Sequence, residues 1–128
     1  MQTQSVAISD AESLVMDVLW RANAALPAEE VIAALVSEQR WQEATVKTLL
    51  NRLLKKGAVS ASKDGRRYLY TAVLKREHWV STESSSMLER LFGGRVAPLV
   101  AHFGKHRKLS PADIAELKKL VEELGDGS

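Results

Sequence analysis

The stretch Ala44 to Gly57, Ala-Thr-Val-Lys-Thr-Leu-Leu-Asn-Arg-Leu-Leu-Lys-Lys-Gly, constrains the fold of this chain more than any other. At about 100° per residue, Val46, Leu49, Leu50, Leu53 and Leu54 fill one side of a helix, and Lys47, Thr48, Asn51, Arg52 and Lys55 occupy the other. A glycine directly after the last apolar turn suits the left-handed stop of a helix. From Ala44 onward the outward side carries cations, hydroxyls and an amide but no carboxylate, whereas an ordinary solvated helix mixes both signs. The spacing therefore predicts a two-faced helix packed on a core and aimed at a polyanion.

Charge along the chain points the same way. The net charge is only +2, yet residues 44–76 hold nine basic groups against Asp64 alone, while residues 1–43 hold two against seven acidic ones. Such a block attracts phosphate backbones or anionic lipid heads. The lipid reading needs cations beside an exposed apolar face, and here that face is required by the core. With no long apolar run and no N-terminal signal pattern, no membrane association is expected, and a soluble, cytoplasmic protein is. The absence of cysteine excludes disulfide staples, thiolate metal sites and a cysteine nucleophile.

The flanking segments supply a scaffold. Met1 to Ile8 lacks helical spacing and is expected to be a tail. Ser9-Asp10-Ala11-Glu12 matches a capping box, and the helix it opens carries Leu14, Val15, Val18 and Leu19 on one side with Trp20 beside them, ending near Ala24. Leu26-Pro27 is expected to start a second helix with the stripe Val31, Ile32, Leu35 and Val36, and Glu29 and Glu30 suit its N-terminus. Ser37 to Gln42 reads as the connection to the central helix, with Trp41 as an anchor on the core. After Gly57 the period falls to two: Val59 and Ala61, then Tyr68 and Tyr70, alternate with polar neighbours around Asp64-Gly65, a two-residue hairpin signal. The two tyrosines are expected to pack on the first helix. Three helices followed by a hairpin make a winged helix-turn-helix, in which the later helix enters the major groove.

A second, helical module is expected from residue 74 to 128, after a first domain of residues 1–73. Trp79, Met87, Leu88, Leu91 and Phe92 recur at helical intervals, Gly93-Gly94 interrupts, and Val96, Leu99, Val100 and Phe103 resume. Ser110-Pro111-Ala112-Asp113 is a well-formed start for a last helix striped by Ile114, Leu117, Leu120, Val121 and Leu124 up to Gly125. So short a segment does not close a core alone, and a second copy of the chain is the simplest remedy. The expected architecture is mainly α, a winged DNA-binding domain with a C-terminal helical dimerisation module.

On this reading Asn51 suits adenine, Thr45 and Thr48 suit phosphate or a thymine methyl, Lys47 suits guanine or phosphate, and Arg52, Lys55 and Lys56 lie nearer the backbone. Lys63, Arg66 and Arg67 at the hairpin tip suit a phosphate strand or the minor groove. The competing reading is a winged helix that binds a protein partner and no DNA. His102 and His106 have metal-ligand spacing, but Gly104 lies between them and no third ligand stands out, so no metal or cofactor is expected. No glycine-rich phosphate loop, nucleophile elbow or carboxylate pair points to an enzyme.

Taken together, Ser9 to Trp20, TVKTLLNRLLKKG (Thr45 to Gly57), DGRRYLY (Asp64 to Tyr70), LFGGRVAPLVAHF (Leu91 to Phe103) and Leu109 to Leu124 resemble the penicillinase-repressor (BlaI/MecI) family. The resemblance implies a homodimeric bacterial repressor that occupies a palindromic operator in double-stranded DNA and dimerises through its C-terminal helices. In the antibiotic-responsive members it implies release when a protease linked to a β-lactam sensor cuts the dimerisation module. The family's scissile Asn-Phe pair corresponds here to His102-Phe103. The copper-responsive branch of the family uses a C-terminal cysteine cluster, which this chain lacks.

Overall fold

The computed structural model describes residues 6–126, which form two compact units, one through Thr82 and one from Glu83. The first unit opens with α1 (Asp10–Ala22). The Ser9 hydroxyl accepts from the Glu12 amide at 3.1 Å and the Glu12 carboxylate accepts from the Ser9 amide at 2.8 Å, closing the expected capping box. Val15, Met16, Val18 and Leu19 are buried, whereas Leu14 is 36% exposed at the edge of the stripe. Asn23, at φ 52°, ends the helix. Of the expected tail, residues 1–5 lie outside the described residues, and Val6 and Ile8 pack against the core.

Leu26-Pro27 does not open the second helix. It forms a short strand, β1 (Leu26–Pro27), and α2 (Ala28–Gln39) follows with the extended Pro27 as its N-cap. Proline lacks an N–H to donate to a ladder and so tolerates this edge position. The helix also runs through Ser37–Gln39, part of the expected connection, and stops at Arg40, whose φ is 59°. Val31 and Leu35 are buried, and Val36 is largely exposed.

The central helix is α3 (Glu43–Lys56), ended by Gly57 at φ 81° as its position predicts. Val46, Leu49, Leu50 and Leu53 join the buried residues of α1 and α2 in one cluster, and Trp41 and Leu54 pack on its rim. Burying each such side chain contributes roughly 1.5–3 kcal/mol before the entropy of ordering the chain is set against it.

Strands β2 (Val59–Asp64) and β3 (Arg67–Ala72) form the hairpin, and β1 adds to its other side, giving the antiparallel order β1-β3-β2 with Leu26 opposite Tyr70. Asp64 pairs with Arg67, so the two turn residues are Gly65-Arg66, one position later than expected. Only Gly65 takes a positive φ, 66°, as a turn with glycine first requires. Ala61 and Tyr68 are exposed because the hairpin extends past the core; Tyr70 alone of the two tyrosines packs against it.

Leu74 is 2% exposed in this same core. The Trp20 indole N–H donates to the Leu74 carbonyl at 2.9 Å, and the Trp20 and Trp79 ring centroids lie 5.5 Å apart. These contacts place the chain beyond residue 73, up to Thr82 inside α4 (Arg76–Phe92), with the first unit.

In the second unit, α4 ends at Gly93 and Gly94, at φ 60° and 80°, and α5 (Val96–Lys105) follows. Ser110 and Asp113 cap each other at the start of α6 (Pro111–Asp126), which continues past Gly125. No residue of α5 or α6 is buried. Leu91, Val96, Phe103, Ile114, Leu120, Val121 and Leu124 are exposed, and Phe92, Leu99, Val100 and Leu117 are half-buried.

Candidate nucleic-acid interface

With its apolar side pinned to the core, α3 presents Thr45, Lys47, Thr48, Asn51, Arg52 and Lys55 to solvent. Thr45, Thr48 and Arg52 line one shallow depression along the helix. The hairpin adds Lys63, Arg66 and Arg67, all exposed. Every side chain named for DNA contact therefore stands on the surface of the first unit.

The cations are not equally free. Lys56, the last residue of α3, turns inward: its ammonium donates to the Ala7 carbonyl at 3.0 Å and to the carboxylate of Glu12, a residue only 2% exposed. Burial pushes the Glu12 carboxyl up, but the Lys56 ammonium and the Ser9 amide and hydroxyl outweigh it and hold the group below the usual carboxylate range. Lys56, expected near the DNA backbone, is instead a structural clamp between the end of α3 and the start of α1, because the buried Glu12 carboxylate draws its ammonium inward. Arg67 lies 3.4 Å from Glu29 of α2 and 3.8 Å from Asp64 across the turn, so part of its charge is answered within the protein.

Lys47 also has a counter-ion. α3 begins one residue earlier than the apolar spacing suggests, and this brings Glu43 onto its first turn, 2.8 Å from the Lys47 ammonium. The hydrogen bond that the Lys47 ammonium donates to the Glu43 carboxylate raises the Lys47 pKa. The outward side of the helix therefore carries a carboxylate after all. The i,i+4 spacing of Glu43 and Lys47 was the available signal for it.

In the second unit the residues expected at a dimer contact form apolar stripes on α4, α5 and α6, and Val100, Leu109, Ile114, Leu117 and Val121 line an open groove. His102 and Phe103 are exposed on α5 with ring centroids 5.5 Å apart. His102 and His106 approach to 4.5 Å between centroids, but no group of three or more metal-ligating side chains occurs among the described residues. Nor, among them, is any helix long and apolar enough to cross a membrane.

A three-helix core, a small antiparallel sheet with a protruding hairpin, and a polar, cation-bearing helix laid across that core define a winged-helix protein. Its structure is similar to the DNA-binding domain of the repressor BlaI, with TM-score 0.52 and 36% identity over 60% of this chain and 90% of that one. It is similar as well to the monomeric form of Bacillus licheniformis BlaI in complex with the blaP half-operator, with TM-score 0.50 and 39% identity over 56% of this chain and 87% of that one. The family model described as penicillinase repressor matches residues 8–123, and the chain belongs to the penicillinase repressor family. It is 36% identical over 116 residues to the penicillinase repressor of Bacillus licheniformis, covering 91% of this chain and 90% of that protein. It is 27% identical over 123 residues to the methicillin resistance regulatory protein MecI of Staphylococcus aureus (strain N315), covering 96% and 99%.

Proposed function

We propose that this protein is a homodimeric, sequence-specific transcriptional repressor that occupies a palindromic operator in double-stranded DNA. The unit through Thr82 reads a half-site, with α3 in the major groove and the β2–β3 wing along the adjoining backbone. The unit from Glu83 joins two copies. It acts in the cytoplasm by occupancy rather than catalysis, and it uses no cofactor. The observation that carries this reading is the exposed row of hydroxyl, amide and cationic side chains on α3, in a fold shared with a BlaI structure bound to a half-operator.

Occupancy depends on the pairing of two half-sites. Joining two weakly bound units raises the effective local concentration of the second, adding roughly 10²- to 10⁴-fold in avidity. Cleavage between His102 and Phe103 by a sensor-linked protease, as in a response to β-lactam, divides the α5 stripe from α6. The two copies then separate and the operator empties with the DNA-reading surface intact. In a single copy both residues are exposed on α5.

Gel-shift titration of the full chain against the DNA upstream of its own gene, at two salt concentrations, tests this function. A protected palindrome with affinity falling steeply as salt rises is the expected result. Equal binding to any duplex and to heparin overturns it.

A further inference from the structure

Glu43 is the one carboxylate of α3, on a side that otherwise carries hydroxyl, amide and cationic groups. Glu43 stands on the first turn of α3, one turn before Lys47, and the two side chains are about equally exposed, 62% and 59%. A carboxylate there supports the helix N-terminus and forms an i,i+4 pair, but each effect amounts to a few tenths of a kcal/mol. Its effect on DNA contact is of a different kind. Left alone, Lys47 meets any phosphate it can reach. Held at 2.8 Å by Glu43, its charge is partly answered within the protein, which weakens its pull on phosphate.

Of the two kinds of base pair, one answers both charges better in the major groove. A G·C pair presents two neighbouring acceptors, guanine N7 and O6, followed by the cytosine N4 donor. An A·T pair places its single donor between two acceptors, which repel a carboxylate brought to that donor. An ammonium and a carboxylate side by side fill the first pattern, the ammonium sharing both acceptors, and fit the second less well, because thymine O4 faces the carboxylate on the far side of the adenine donor.

We propose that Glu43 is a specificity-determining residue: with Lys47 it reads one G·C base pair in each half-site, Lys47 donating to guanine and Glu43 accepting from the cytosine amino group. The inference rests on the operator-binding function above. Glu43 accordingly restrains binding to DNA at large and favours the correct site.

The test is selection of full-length protein on a pool of duplexes with randomised sequence, followed by binding titrations at two salt concentrations, for the unaltered protein, Glu43→Ala and Lys47→Ala. The unaltered protein should select a G·C pair at one position per half-site. Glu43→Ala should relax that preference roughly tenfold. It should also bind random duplex more tightly, with the salt slope steeper by about one phosphate contact per protomer because Lys47 is released. Lys47→Ala should relax the same base pair. A preference profile unchanged at every position in Glu43→Ala overturns the proposal while leaving operator binding standing, as does relaxation of different base pairs by the two variants. Failure of the unaltered protein to select any sequence overturns the repressor function, and this inference with it.

Discussion

The ammonium of Lys56, at the end of α3, is bound to the buried carboxylate of Glu12, which caps the start of the first helix 44 residues earlier. One end of α3 is thereby fixed to α1 by charge, in addition to the apolar contacts along its length.

That bond makes stability depend on acid. The folded Glu12 carboxyl sits below its ordinary value, so in the interval between the two the unfolded chain binds more protons than the folded one. The stabilisation is complete above the usual carboxylate range and is lost as pH falls through the lowered value. Glu12→Gln should therefore be less stable than the unaltered protein at neutral pH by about 1–2 kcal/mol. Urea denaturation should show the gap closing in acid; a gap that widens there contradicts the assignment.

Salt dependence should separate cations that touch phosphate from the one that does not. Arg52→Ala should reduce the slope of log affinity against log salt by about one contact per protomer. Lys56→Ala should leave that slope unaltered and lower the thermal midpoint instead. Asn51→Ala should cost about 1–3 kcal/mol at one base pair and little elsewhere. If Lys56→Ala reduces the slope as much as Arg52→Ala, the clamp on Glu12 opens when DNA binds.

The apolar stripes of the second unit predict where pairing fails. Leu99→Asp and Phe103→Asp place a charge on α5 surfaces that one chain leaves half-buried and exposed respectively. Both should sediment as monomers at micromolar concentration and lose operator affinity by roughly the avidity factor of 10²- to 10⁴-fold. The circular dichroism of the winged unit should persist. Dimers that survive both substitutions would move the contact away from α5.

The features legible in the sequence are those set by neighbours along the chain. The faces of α3, its glycine stop, the Ser9 and Ser110 capping boxes and the stripe of α6 all follow from spacing within a few turns. What was not legible depends on partners far away in the chain. Leu26-Pro27 is a strand only because β3 returns beside it, and in isolation proline before two glutamates reads as a helix start. Glu12 looks like a simple capping residue until Lys56 arrives over it. Leu74 and Trp79 carry helical spacing that suits either unit, and only the packing of Trp20 assigns them to the first. The turn register slipped by one because Asp-Gly and Gly-Arg both satisfy a tight hairpin. Glu43 falls outside the helix marked by the apolar period, which places the start one residue late. On the outward side of α3, the residue types are readable in the sequence and their counter-ions are not.

The stacking of Trp20 on Trp79, with Trp41 on the rim of the same core, puts all three of the chain's indoles in the unit through Thr82. Intrinsic fluorescence is consequently blind to the C-terminal helices, and a melt followed by emission charts one half of the molecule while a far-ultraviolet trace records both. Any difference between the two curves measures how independently the halves come apart.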